Sequence, residues 1–571
     1  MKKVAIKEIT TKEITTKEIR AKENMTNKFK TNKLTSVRPL VAAVTTTITA
    51  AAIMLSAFTG FSITASAEGL GAVSINSATI AGENVVVNIS ASDLPASDDG
   101  VYYLFAEKPY QTAPAGNPVA TAAVGPSASF SFPLAYQTES SHLYDKFQVA
   151  VRQGGSFISV TGARYITNPE ALATASPARK NNGKKGLILD GAKIGNGNNE
   201  AVQLGVQQGA YNLNLCDVIG GDCSASYNYN GNTYYFDSSY LSQYDHAVRT
   251  STSQGMGMTL VLLDPYAGGE EYLISPYSRS GLGKCSYYMM NTSEDQGLEA
   301  LEAAVSFLAA RYNGQNGFGQ VDNWVIGNEV NAKTVWNWTN VADQMTYAQL
   351  YADSVRVCYN AIKSRNVNAY VCISVDQNWT HIHNAGYYSA RSMIEAVNAC
   401  ITAQGNIDWC LAEHPYNYPM TWTSFWTPQN AAMVRHDINT PFITMENIDA
   451  LTDYMCQPVM LNTKGAVRPI LLTEVGYSSS QGEPAQASAI VYAYQRAMTN
   501  RYINMIVFNR QTDSAAEIAQ GLPVGLTRAD GSRKMAFDYY QQMNGPNAQN
   551  YINAAAQYMG ISDWGAAMHA R

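Results

Sequence analysis

The sequence predicts an α/β chain, a (β/α)8 TIM barrel preceded by a small all-β sandwich domain. Three observations carry this. Between residues 186 and 509, eight short apolar runs alternate with longer stretches of helical periodicity. Between 70 and about 170, six segments alternate apolar and polar residues instead, the period of strands with one wet face. A breaker-rich stretch, ALATASPARKNNGKK at 171–185, separates the two rhythms and reads as a linker.

The first 67 residues read as an export signal with a basic extension. Lys28, Lys30, Lys33 and Arg38 precede an uncharged stretch from Pro39 to Ala67 that ends Ala65-Ser66-Ala67, a small-x-small cleavage pattern. The stretch is long enough to span a bilayer, so a transmembrane anchor is the alternative. Its many Thr and Ser residues and its terminal ASA favour cleavage, and hence a secreted chain with no membrane association afterwards. The repeat KEITTKEITTKEI leaves open whether translation starts at Met1 or Met25.

Residues 68–170 form the predicted sandwich. Its strands are AVSINSATI, NVVVNISAS, GVYYLFAEK, SASFSFPL, KFQVAVRQ and SFISVTGARYI, spaced as in a two-sheet fold. Two roles suit it: a spacer packed on the next domain, or a carbohydrate-binding module that stacks sugars on Tyr102, Tyr103 or Tyr110.

Residues 186–571 form the predicted barrel. Its strands are GLILD (186), YNLNLCDVI (211), MTLVLLDP (258), VDNWVIGNE (321), AYVCISVD (369), IDWCLAEHPY (407), RPILLTE (468) and INMIVFN (503). Their nearly unbroken apolar character suits a parallel sheet covered on both faces. The alternative, an open doubly wound sheet, would bind a nucleotide at a Gly-rich first turn. GAKIGNGNNE, after the first strand, lacks the GxGxxG spacing, and no P-loop occurs.

Composition excludes two classes. A 46% hydrophobic share builds large cores, which excludes general disorder. Residues 1–67 hold 11 of the 39 Lys/Arg and 4 of the 45 Asp/Glu, which leaves 28 basic against 41 acidic residues in the body. An acidic body is a poor partner for nucleic acid. Of eight cysteines, Cys216 and Cys223 are close enough in sequence to bridge a loop; Cys358, Cys372 and Cys410 sit in apolar runs and read as small buried hydrophobes. No Cys/His spacing calls for zinc. Oligomeric state is not legible.

In a barrel, chemistry collects at the carboxyl ends of the strands. Strand four ends Gly327-Asn328-Glu329-Val330-Asn331, strand six Glu413-His414-Pro415-Tyr416, and strand seven Thr473-Glu474-Val475-Gly476. Two carboxylates thus reach one rim from opposite arcs. VIGNEVN and LLTEVGYSS, with the His-x-Tyr of strand six, resemble the signature of the retaining (β/α)8 glycoside hydrolases of clan A, over residues 186–545. The resemblance implies Glu329 as acid/base and Glu474 as nucleophile. Asn328 then matches the residue that bonds a sugar 2-hydroxyl, and His414 and Tyr416 line the site and orient the nucleophile. It calls for no cofactor and no metal, and for a carbohydrate substrate.

Retaining glycosidases hold two carboxyl groups about 5–5.5 Å apart, one protonated to donate to the leaving oxygen and one ionised to attack. Candidate sugar contacts beyond these strand ends are Trp336, Trp338, Trp379, Trp422 and Trp426, whose ring planes suit sugar C–H faces. Asn214, Asp264, Asp376, Asn378 and Asn509 are candidate hydroxyl partners. Other features have plainer readings. Glu446 is a rival nucleophile but opens a helical stretch, where it would stabilise the helix terminus. Glu413 should point away from His414, being one residue off in a strand. His381 and His383 lack a third metal ligand. Two departures from the clan stand out: strand two lacks an Arg beneath the nucleophile, and strand eight ends Phe508-Asn509-Arg510 with no Trp, which leaves Arg510 as a substitute cation. A non-catalytic carbohydrate-binding or cell-surface protein on a decayed barrel is the rival function. Transglycosylation is a third.

Overall fold

The computed structural model describes residues 72–174, 176–219, 225–266 and 268–571. The predicted export signal and Cys223 lie outside the described residues.

Two antiparallel sheets come first. One joins β1 (Val73–Ala81), β2 (Asn84–Ala91) and β5 (Ser127–Pro133). The other joins β4 (Ala120–Ala123), β3 (Val101–Glu107), β6 (Lys146–Gln153) and β7 (Ser156–Ser159), with β8 (Arg164–Tyr165) on β6. Alternate side chains point inward, so Val85, Val87 and Ile89 of one sheet and Leu104, Phe147 and Val149 of the other share a core. Phe132 meets Phe147 edge-on across the gap at 5.4 Å. The last predicted strand is split into β7 and β8. The strand ATAA was not foreseen, because its composition carries no β signal; pairing with β3 holds it.

The eight parallel strands close as predicted: β9 (Lys185–Ile188), β10 (Gln208–Asn214), β13 (Gly257–Leu263), β14 (Asn323–Ile326), β15 (Tyr370–Asp376), β16 (Cys410–His414), β17 (Ile470–Val475) and β18 (Ile503–Phe508), with β9 bonded to both β10 and β18. Small and branched side chains, among them Ala210, Val325, Cys372, Cys410, Ala412, Leu471 and Val507, fill the interior. Helices α1 (Ser238–Ser253), α2 (Asp295–Arg311), α3 (Gln344–Lys363), α4 (Ala390–Ala403), α5 (Ile448–Met455), α6 (Glu483–Thr499), α7 (Met535–Gln542) and α8 (Ala548–Met559) surround or follow the strands. No described helix is long and apolar enough to cross a membrane. The second predicted strand overruns: Leu215–Val218 is a helical turn that follows Asn214. The segment between β10 and the helix Ser238–Ser253 holds a hairpin, β11 (Ala225–Tyr229) with β12 (Asn232–Phe236).

The breaker-rich segment is not a free linker. Arg179 bonds the Asp322 carbonyl at 2.9 Å and the Asn323 side chain at 2.7 Å, and its guanidinium lies 4.0 Å over the Tyr370 ring. These are the amino ends of β14 and β15, so the segment covers the barrel floor.

The first sheets pack against α2 and α3. Tyr144 and Ser306 hydroxyls bond at 2.8 Å, Tyr165 donates to Asp353 at 3.0 Å, and Asn360 donates to the Leu143 carbonyl at 2.8 Å. Of the tyrosines offered as sugar platforms, Tyr110 belongs to this contact and Tyr102 and Tyr103 make their bonds within the first domain. Tyr102 is buried, Tyr103 donates to Asp99 and lies beneath Arg152, and Tyr110 donates to Asp295. Tyr103 and Tyr110 are half-buried with their hydroxyls engaged, and Tyr102 has no exposed face.

The contact also buries a carboxyl. Glu302 accepts from Tyr229 at 3.1 Å, its other oxygen has no partner, and burial pushes its pKa up to about 8. A carboxyl whose folded pKa lies above its unfolded value contributes stability below the unfolded value and loses it as pH rises towards the folded one, at about 1.4 kcal/mol per pH unit. Glu302→Gln is therefore expected to gain on wild type by a few kcal/mol between pH 4 and pH 8. Denaturant melts at both pH values check it, and a constant difference between the two proteins would count against it.

Candidate active site

The turn after β14 is clamped from both sides. Tyr351 donates to the Ile326 carbonyl at 2.6 Å, the Gly327 amide to the Leu262 carbonyl at 2.9 Å, and the Glu329 amide to Ser374 Oγ at 3.0 Å. Gly327 has φ +72° and Glu329 φ +41°. A non-glycine residue in this left-handed region costs on the order of 1–3 kcal/mol and persists only where its surroundings hold it. Here the bonds to β13 and β15 hold it.

Two chains of hydrogen bonds, which meet at the neighbouring residues Thr473 and Glu474, then link strands four, six, seven and eight. His414 Nδ1 lies 2.9 Å from Glu329 Oε1, and its Nε2 lies 3.0 Å from Thr473 Oγ1. The next residue after Thr473 is Glu474, whose Oε1 accepts from the Tyr416 hydroxyl at 2.6 Å. Asn509 Nδ2 donates to that hydroxyl oxygen at 3.0 Å and to Glu517 Oε1 at 3.1 Å. Gly476 makes room for this packing: a Cβ there would lie 2.9 Å from the Asn509 carbonyl oxygen and 3.3 Å from the Tyr416 ring.

The electrostatics follow from burial in an acidic setting. Burial opposes charge on His414, but its bond to Glu329 and the charges of Glu474, Glu329 and Asp376 raise its pKa above the ordinary value. Burial and then Glu474 push the Tyr416 hydroxyl far up, which keeps it a donor. Burial and then the Glu329 charge raise Asp376 to about 6, against the bonds from Asn331 and Asn378 that lower it. Glu413 is wholly buried with neither oxygen partnered. Burial, then the Asp376 and Glu329 charges, push its pKa well above the ordinary carboxylate value. Among the described residues, no Lys or Arg ion-pairs with Glu329 or Glu474. Arg510 faces Glu517 at 3.6 Å, so it does not replace the missing strand-two cation at the nucleophile.

The other predicted contacts divide. Asn328 is half-buried beside Glu329, and Trp336 is half-buried with its ring stacked on Tyr287 at 5.9 Å. Trp379 must be corrected. It is fully buried, and its Nε1 donates to the Ile438 carbonyl at 2.9 Å, because the segment between β16 and α5 folds over it. Asn214 is also corrected: its amide donates to Asp217 at 2.8 Å within the turn it begins. Asn212, two residues earlier and in phase with the interior Ala210, is the exposed one. Asp376 and Asn378 bond each other at 2.6 Å and Asn331 joins them, while Asp264 is buried without a partner.

Glu446 accepts from Tyr492 at 3.0 Å, just ahead of α5, which leaves it outside the network. His381 stacks on Phe442 at 4.9 Å. Sequence missed the Thr473 and Glu517 partners, and Ser374 beneath the Glu329 amide. One group among the described residues could hold a metal ion: His436, Asp449 and His569, with donor atoms within 4.8 Å of one another. Arg496 at 2.7 Å and Arg571 at 3.6 Å already face Asp449, and their charge opposes a cation there.

The fold and site define a class: a (β/α)8 barrel whose mouth holds a strand-four glutamate on the His that ends strand six and a strand-seven glutamate on the Tyr two residues later. Within it, the chain belongs to the family described as DUF5722, a family of unknown function, whose model matches residues 177–567. No curated protein matches the chain. Among solved structures it is similar to a family 39 glycoside hydrolase from the gut symbiont Bacteroides cellulosilyticus WH2, at 13% identity over 80% of each chain with a TM-score of 0.43. It is also similar to the endo-1,4-β-mannanase of Rhizomucor miehei, at 13% identity over 68% of this chain and 99% of that one with a TM-score of 0.39. A third is the exo-β-1,4-mannosidase Op5Man5 of Opitutaceae bacterium strain TAV5, at 15% identity over 66% of this chain and 61% of that one with a TM-score of 0.39. Likeness at this level does not indicate what this chain acts on.

Proposed function

We propose that the chain is a secreted, retaining glycoside hydrolase that cleaves β-glycosidic bonds of a poly- or oligosaccharide by double displacement. The observation that carries this is the two hydrogen-bonded chains that hold the glutamates and meet at the neighbouring residues Thr473 and Glu474: Glu329 through His414 to Thr473, and Glu474 through Tyr416 to Asn509. One carboxyl group has an imidazole that can trade a proton with it. The other has a phenol that donates to one oxygen and leaves the second for an anomeric carbon. That asymmetry suits an acid/base and a nucleophile.

In the first step Glu474 attacks the anomeric carbon while Glu329 gives its proton to the leaving oxygen. In the second, water attacks the glycosyl ester from the vacated face and gives its proton to Glu329. The chain from residue 68 onward, screened on aryl β-glycosides and on plant and microbial polysaccharides, is expected to release sugar whose first-formed anomer keeps the β configuration by NMR. An α anomer as first product would rule out the retaining scheme. Binding without release would favour the non-catalytic alternative, and a sugar acceptor replacing water would mark transglycosylation.

A further inference from the structure

We propose that Thr473 is a positioning residue that makes His414 and Glu329 hold one proton in common, so that the proton donor of this site is the pair and not the carboxyl alone. The inference rests on the glycosidase reading and extends it to a residue that the two-glutamate scheme leaves unused.

The geometry comes first. The His414 ring is 2% exposed and has a partner at each nitrogen: Glu329 Oε1 at 2.9 Å from Nδ1 and Thr473 Oγ1 at 3.0 Å from Nε2. A neutral imidazole carries hydrogen on one nitrogen only, and a threonine hydroxyl can donate or accept. If Thr473 accepts, Nε2 bears the hydrogen and Nδ1 is free to trade a proton with Glu329. The carboxyl then donates O–H to Nδ1, or the imidazolium donates N–H to the carboxylate, and the same proton serves both. If Thr473 donated to a bare Nε2, the hydrogen would sit on Nδ1 against an ionised Glu329. The pair would then have no proton to give.

The surroundings favour the first arrangement. Glu329 on the turn after β14 bonds the ring, the charges of Glu474 on β17 and Asp376 at the end of β15 act on it, and Glu413 precedes it on β16 with Tyr416 just past that strand's end. The carboxylate charges favour hydrogen on both nitrogens despite the burial. Thr473 arrives at Nε2 because β17 runs beside β16, with Leu472 in register with Glu413.

The proton balance closes over a turnover. One proton leaves the pair through Glu329 for the leaving oxygen as the glycosidic bond breaks and the Glu474 ester forms. One returns from water as its oxygen bonds the anomeric carbon and the ester breaks.

The test compares Thr473→Val, which removes the hydroxyl at nearly constant shape, with Thr473→Ser, which keeps it. Thr473→Ala replaces the valine variant if circular dichroism shows that one unfolded. In the ¹⁵N-histidine-labelled chain, wild type and Thr473→Ser are expected to show His414 with hydrogen on Nε2. Their titration midpoint should lie above that of ordinary histidine, and Thr473→Val should lower it by about one pH unit or more. In kinetics, the alkaline limb of kcat/KM on a glycoside with a poor leaving group should move down by a similar amount in Thr473→Val only. The profile on an activated aryl glycoside should not move, because its departure needs no proton. A valine variant with the wild-type His414 midpoint, or a serine variant that behaves like valine, overturns the proposal. The NMR arm needs no turnover. A shared proton in a chain that hydrolyses no glycoside would sink the proposed function and leave the proton pair standing.

Discussion

Glu474→Ala is expected to abolish turnover, with a loss of roughly 10⁴-fold or more in kcat, the scale seen when a residue that forms a covalent intermediate is removed. The fold should survive. Glu474 is only half-buried, and the Tyr416 hydroxyl it releases keeps its bond from Asn509 at 3.0 Å. Removing one partner of a buried hydrogen bond costs about 1–3 kcal/mol, which a barrel of this size tolerates. Added azide separates loss of the nucleophile from general damage. In the cavity left by Glu474→Ala a small anion attacks on the face opposite the leaving group. It should restore part of the activity on an activated aryl β-glycoside and yield an α-glycosyl azide. A folded Glu474→Ala chain that keeps more than a few per cent of wild-type turnover would exclude this residue as nucleophile.

Much of this architecture was legible because parallel strands must be apolar on both faces, so their runs stand out from amphipathic helices. The same logic placed Glu329, His414 and Glu474 at strand ends, since the first polar residue after such a run marks where the chain meets solvent. Period two within β16 also separated Glu413 from His414. It could not say that Glu413 would be sealed in with its pKa raised, which depends on burial and then on the charges of Asp376 and Glu329 from other strands. Exposure failed for a related reason. Trp379 follows β15 as a sugar platform would, yet a segment some sixty residues later closes over it and takes its N–H. Asn214 closes its strand as a hydroxyl partner would, but a helical turn follows at once and Asp217 occupies its amide. Thr473 gave no signal, since threonine is ordinary in strands. Its meaning comes only from β16 and β17 lying side by side.

Leaving-group dependence carries the second large effect. Glu329→Ala is expected to cost roughly 10²–10⁴-fold in kcat/KM on glycosides with poor leaving groups, the usual contribution of a positioned acid, and far less on activated aryl glycosides. The reason is local. A sugar alkoxide cannot depart without a proton, whereas a nitrophenolate can, so only the first substrate notices the missing acid. The second step should slow for both, because water then lacks its base. An activated substrate should therefore show a burst followed by slow turnover. Azide should speed that turnover and, attacking the glycosyl ester from the face the leaving group has vacated, give a β-glycosyl azide, opposite to the product from Glu474→Ala. The variant also removes the acceptor at His414 Nδ1. Glu329→Gln, which keeps an oxygen there but cannot donate an acidic proton, separates the two effects: if the acid is what matters, Gln and Ala lose alike on poor leaving groups. Equal loss on activated and unactivated substrates would show that Glu329 shapes the pocket and is not its acid.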